Sequence, residues 1–99
     1  LARSAAAAAP PQQSASWEDE KAKKARYRKM KKREEEILGR LMAVSAEKKA
    51  LENAMALPAN YTDGIKVKKI LASITELETE ASALNEEWLE LADELSALE

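Results

Sequence analysis

The sequence has no cysteine, histidine or phenylalanine, and only two glycines among its 99 residues. Without cysteine or histidine there is no disulfide, no Cys/His metal site and no Cys-His or Ser-His nucleophile pair. The scarcity of glycine and aromatic side chains leaves little material for a sheet or a broad core, so a slender helical object is expected. A phosphate-cradling Walker A loop needs glycines around a Lys-Ser/Thr pair, and neither Gly39 nor Gly64 is followed by such a pair. Carboxylates are plentiful, but no apolar pocket is in view to shift their pKa values, so the chain is not expected to be an enzyme or to hold a cofactor. No apolar run approaches the roughly 18 residues of a membrane span. Residues 1–16 lack the basic-then-apolar order of a signal peptide. The chain is expected to be soluble with no membrane partner; the redox compartment stays open, though nothing argues for secretion, and a cytoplasmic location is the expectation.

What is present divides into three parts. Residues 1–15, LARSAAAAAPPQQSA, are low in complexity and read as a disordered Ala/Pro-rich linker. A leucine in place of an initiator methionine suggests a piece of a longer protein. Ser16-Trp17-Glu18-Asp19 reads as a helix start, with a hydroxyl to cap a backbone N–H and acidic side chains at the positive end of the helix dipole. The first helix then covers 17–56, because Pro58 forces Leu57 out of helical geometry. A turn over 57–63 precedes a helix over 64–98, which Asp63 is placed to cap.

The apolar spacing decides how the helices meet. Val67, Ile70, Ile74, Leu77, Ala81, Leu84, Trp88, Leu91, Leu95 and Leu98 recur in alternating steps of three and four. Tyr27, Met30, Glu34, Ile37, Leu41, Val44, Lys48, Leu51 and Met55 do the same, with Glu34 and Lys48 as polar interruptions. The fold class is therefore all-α, an antiparallel two-helix coiled-coil hairpin over 16–99 with a disordered N-terminal linker. Folding about residues 60–61 pairs Leu51 with Ile70, Val44 with Leu77, Ile37 with Leu84 and Met30 with Leu91, in a rod of roughly 50 Å.

The charges pose the functional question. KAKKARYRKMKKR, residues 21–33, holds nine cations: Lys21, Lys23, Lys24, Arg26, Arg28, Lys29, Lys31, Lys32 and Arg33. Residues 78–99 hold eight carboxylates and no basic residue. The hairpin lays one beside the other, so the run is either internally matched or a hand for nucleic acid. A helix turns its side chains all round, which leaves Lys21, Lys24, Arg28, Lys31 and Lys32 as the outward set available to phosphates. At the turn, Tyr61 is expected to fold back as a lid on Met55 and Val67. Its alternative is to stack on an exposed base beside Lys66, Lys68 and Lys69. Gly39 is expected to face outward and Trp88 to pack in the seam.

The elements EEEILGRL, LENAMALPANYTDGIKVKKI and ELETEASALNEEWLELADELSAL, with the loop around Pro58, Asn60-Tyr61 and Asp63-Gly64 and with Trp88, resemble the C-terminal coiled-coil extension of ABC-F ATPases, Uup-like members included. The resemblance covers about two thirds of the chain, and a lysine-rich segment ahead of the hairpin fits it. It implies an appendage that binds DNA or ribosomal RNA, on a parent ATPase that uses ATP and Mg and acts in translation at the ribosome. The parent's own ATPase domains are then possible docking partners. Two other readings stay open: a structural or partner-binding coiled coil, and the coiled-coil arm of an aminoacyl-tRNA synthetase.

Overall fold

In the computed structural model residues 16–99 are described with their side chains, and of residues 2–15 the backbone alone. The linker expected over residues 1–15 lies outside the fully described residues. Three helices follow in order: α1 (Ala2–Met55), α2 (Pro58–Tyr61) and α3 (Gly64–Leu98). No strand occurs among the described residues. Ser16 and Trp17 lie inside α1 as its bounds stand, so Ser16 does not begin the helix. A hydroxyl caps only where the following N–H groups lack carbonyl partners, and inside a continuing helix they have them.

α1 and α3 pack against each other as an antiparallel pair, in a molecule 16 × 15 Å across. Every seam position expected on the two arms is buried or half-buried. Ile37 is fully buried, and Val44, Leu77 and Leu95 nearly so. Two cross-arm ion pairs read out the register: Arg33 meets Glu87 and Arg40 meets Glu80, each pair equidistant from residue 60. That is the fold point expected from the apolar spacing. α3 has 35 residues, so at 1.5 Å per residue the paired region is about 52 Å long.

The polar interruptions of the seam find partners. Lys48 Nζ lies 3.9 Å from Glu78, and Glu34 accepts from Lys31 at 3.0 Å. Trp88 is half-buried on the seam, and its indole N–H is shut off from water without an acceptor. Its contribution is therefore packing, as expected, and the idle donor reduces it.

The tip is more ordered than an open turn. α2 occupies its first half, with Pro58 at the helix start where its missing N–H costs nothing. The Asn60 side chain donates to the Ala54 carbonyl at 2.7 Å, and the Thr62 hydroxyl donates to the Pro58 carbonyl. Asp63 caps α3 as expected, accepting from the N–H groups of Ile65 at 3.0 Å and Lys66 at 3.2 Å. These bonds correct the lid expected of Tyr61. Asn60 takes the inward position, and the turn of α2 carries Tyr61 to the outside, where 54% of it is exposed.

Gly39 faces open space, with nothing within 4 Å of an added Cβ. The fold thus makes two opposite predictions two positions apart. Gly39→Ala gains roughly 0.5–1 kcal/mol, the helix-interior cost of glycine. Ile37→Ala loses about 2–5 kcal/mol through lost burial and a cavity. Thermal melts followed by circular dichroism check both, as a raised and a lowered midpoint.

Candidate nucleic-acid interface

The two flanks of the seam carry different chemistry. On one flank α1 places Arg26, Arg33 and Arg40 at steps of seven, facing Glu80, Glu87 and Glu94 at steps of seven on α3. Arg33 grips Glu87 with two bonds, Nε to Oε2 at 2.6 Å and Nη2 to Oε1 at 2.8 Å. Arg40 grips Glu80 in the same bidentate way, its Nη2 donating at 2.8 Å. The planar guanidinium matches both oxygens of a carboxylate, so this flank is clamped with directional as well as electrostatic preference. Arg26 and Glu94 line one shallow cleft with Met30 and Leu98 but form no ion pair within 4.0 Å.

The other flank is different. Lys21, Lys24, Arg28 and Lys31 follow steps of three and four along α1, a stripe roughly 15 Å long. The α3 positions beside that flank are Leu71, Glu78, Asn85, Ala92 and Glu99, and of their two carboxylates Glu78 already meets Lys48. Among the described residues Lys21, Lys23, Lys24, Arg26, Arg28, Lys29 and Lys32 have no carboxylate within 4.0 Å. Of the nine cations, only Lys31 and Arg33 are paired with a described carboxylate, Lys31 with Glu34 on its own helix and Arg33 with Glu87 and Glu36. The acidic arm therefore answers one cation of the run and leaves most of it to solvent.

The model of the ABC transporter C-terminal domain matches residues 25–93. The chain belongs to that family. In this ABC transporter C-terminal domain the matched span covers the α1 arm of the seam, the α3 arm as far as Leu91, the whole tip and six of the nine cations, Arg26, Arg28, Lys29, Lys31, Lys32 and Arg33. It fits the extension of an ABC-F type ATPase to which the loop and Trp88 pointed. Curated proteins and solved structures gave no match.

The remaining candidates of the domain lie apart from the run. Lys66, Lys68, Lys69 and Tyr61 are all exposed at the tip. At 1.5 Å per residue they stand from roughly 27 Å, between Lys69 and Arg33, to about 55 Å from the run along the rod, so the fold does not gather the two basic groups into one site. A residue absent from the expected set lies beside the stripe: Trp17, one helical turn before Lys21, whose Nζ sits 5.1 Å from the ring centre. The spacing of four residues was the available signal, and Trp17 was read as a helix-start residue instead. No group of residues suited to hold a metal ion occurs among those described. Likewise no described helix is long and apolar enough to cross a membrane.

The ion pairs leave a titration signature. The bond from Arg33 holds the Glu87 carboxyl below its ordinary value, and the bond from Arg40 does the same for Glu80. A carboxylate with a folded-state pKa below its unfolded one stabilises the fold above the unfolded value, near 4.5, and loses that contribution as pH falls through the folded value. The domain should therefore melt at progressively lower temperature as pH drops below about 4.5. Glu80→Gln with Glu87→Gln removes part of that dependence. Melting curves from pH 6 to pH 2 check it, and molar salt should shrink the difference between the variant and the parent.

Proposed function

We propose that this hairpin is a nucleic-acid-binding appendage of an ABC-F type ATPase that works in the cytoplasm at the ribosome, and that it holds DNA or ribosomal RNA through phosphate contacts. The observation that carries the reading is the stripe Lys21, Lys24, Arg28 and Lys31, with Lys32 beside it, on the flank without Arg–Glu clamps. Four or five cations on one face, held in helical spacing, can each displace a counterion from a phosphate backbone, Lys31 by exchanging its bond to Glu34 for one to phosphate. Such contacts position the protein and read little sequence. A net charge of −2 gives no global attraction to a polyanion, so binding is local to that flank. Tyr61 with Lys66, Lys68 and Lys69 forms a separate, smaller contact at the tip. The appendage itself performs no catalysis and takes no cofactor; ATP and Mg act in the ATPase domains of the parent.

A second reading, docking on a protein such as those ATPase domains, is favoured by one observation. Leu38 and Met42, four residues apart on α1, are 45% and 75% exposed on the same flank as the stripe. The two readings respond to salt in opposite ways.

Fluorescence anisotropy of a labelled duplex and of a ribosomal RNA hairpin over a salt series separates them. The nucleic-acid reading expects a log-log slope of about −4 for four to five duplex phosphate contacts, at about 0.9 per contact. The variant with Lys24, Arg28, Lys31 and Lys32 all changed to Glu should lose most of the affinity while remaining helical. Absence of binding at low salt contradicts the reading. Capture of a protein that survives moderate salt and fails with Met42→Ser would favour docking instead.

A further inference from the structure

Trp17 is 64% exposed, more than Trp88, the only other tryptophan, which is half-buried in the seam. Leaving a large indole in water forgoes the free energy its burial would release, so an exposed tryptophan held in fixed geometry is a surface that gains by being covered. Two features bias the geometry here. The helical backbone sets its position, and the Lys21 ammonium lies 5.1 Å from the ring centre, within cation–π range.

Its place on the helix gives it a partner class. Trp17, Lys21, Lys24, Arg28 and Lys31 follow one another at steps of four, three, four and three, so the indole continues the basic stripe by one turn. Of the adjacent acidic residues, Glu18 and Asp19 fall off that line, while Glu20, three residues after Trp17 and four before Lys24, borders it and shares a shallow cleft with Lys24 and Arg28. From Trp17 to Lys31 the row is roughly 21 Å long. An aromatic platform at the end of a track of cations is the pattern by which proteins hold single strands: bases stack on the ring while the backbone follows the charges. A duplex offers its phosphates but keeps its base faces stacked inside, so it can use the cations and not the indole.

We infer that Trp17 stacks on an unpaired base and makes this flank prefer single-stranded nucleic acid, or an unpaired segment of a folded RNA, over duplex. The inference rests on the nucleic-acid reading above and names the form of its ligand. Lys21 orients the indole from one side, and the base covers ring surface that is now in water.

The test compares a labelled 12-nucleotide single strand with a blunt duplex of the same sequence, binding to the full chain, to Trp17→Ala and to Trp17→Phe, by anisotropy at fixed salt. The unsubstituted chain should prefer the single strand. Trp17→Ala should weaken single-strand binding about tenfold, within the range for one lost stacking contact, and change duplex binding less than twofold. Trp17→Phe should restore most of the loss, because it keeps a ring and no new charge. The melting temperature of both variants should match the parent, since Trp17 is mostly exposed and lies ten residues before the first seam position, Tyr27. Trp17→Ala that leaves single-strand affinity unchanged, weakens the duplex equally, or lowers the melting temperature overturns the inference. If the unsubstituted chain binds neither probe, the nucleic-acid reading falls with it; if it binds and Trp17 is indifferent, only the stacking role falls.

Discussion

The hydrogen-bonded tip selects the register on which the rest of the hairpin depends. The seam alone leaves a choice, because apolar residues recur every seven positions on both arms and would still meet after a slip of one repeat. The clamps share that ambiguity: Arg26, Arg33 and Arg40 on one arm and Glu80, Glu87 and Glu94 on the other are themselves spaced by seven, so a slipped Arg33 would find Glu80 or Glu94. What breaks the degeneracy is the fixed length of chain between Met55 and Gly64. α2, the Asn60 side chain on the Ala54 carbonyl and the Asp63 cap consume that length in one compact arrangement. A slip would have to open those bonds, and short, stiff loops do not tolerate it.

With the register set, the charges sort themselves by flank. Arginines and glutamates that repeat every seven residues fall beside the seam on one side, where bidentate pairs form. Cations at steps of three and four fall on the other side, where α3 offers leucine, asparagine and alanine beside only two carboxylates. Each clamp is half-exposed and contributes little to stability by itself. Its larger effect is to hold Glu80 and Glu87 to the arginine flank, so that these two carboxylates are turned away from the stripe. The acidic arm and the basic stripe coexist on a rod because they look in different directions.

Much of this was legible beforehand. The two seams, the fold point near residue 60, the Asp63 cap and the outward set Lys21, Lys24, Arg28, Lys31 and Lys32 all follow from periodicity, which is a local and robust property of a helix. Tyr61 was misplaced because its direction depends on a competition that composition does not reveal: the neighbouring Asn60 amide takes the inner site and forces the phenol outward. Which of the nine cations the acidic arm would answer was hidden for a similar reason. Opposition across the seam requires knowing which flank each residue faces, and a run of basic residues shows only that charge is dense. Trp17 was overlooked because its neighbours Ser16, Glu18 and Asp19 also suit a helix start, and that local pattern outcompeted the longer spacing to Lys21, Lys24 and Arg28.

The division of labour between the flanks is tested most directly by two charge-matched variants, Lys24→Gln with Arg28→Gln and Arg33→Gln with Arg40→Gln, compared in nucleic-acid affinity and in melting temperature. Each removes two positive charges from α1. The account predicts that the first pair lowers affinity and the salt slope with little change in melting, and that the second lowers the melting temperature with little change in affinity. Equal losses of affinity in both variants, at equal stability, would contradict it, because the arginine clamps would then be as available to phosphate as the stripe.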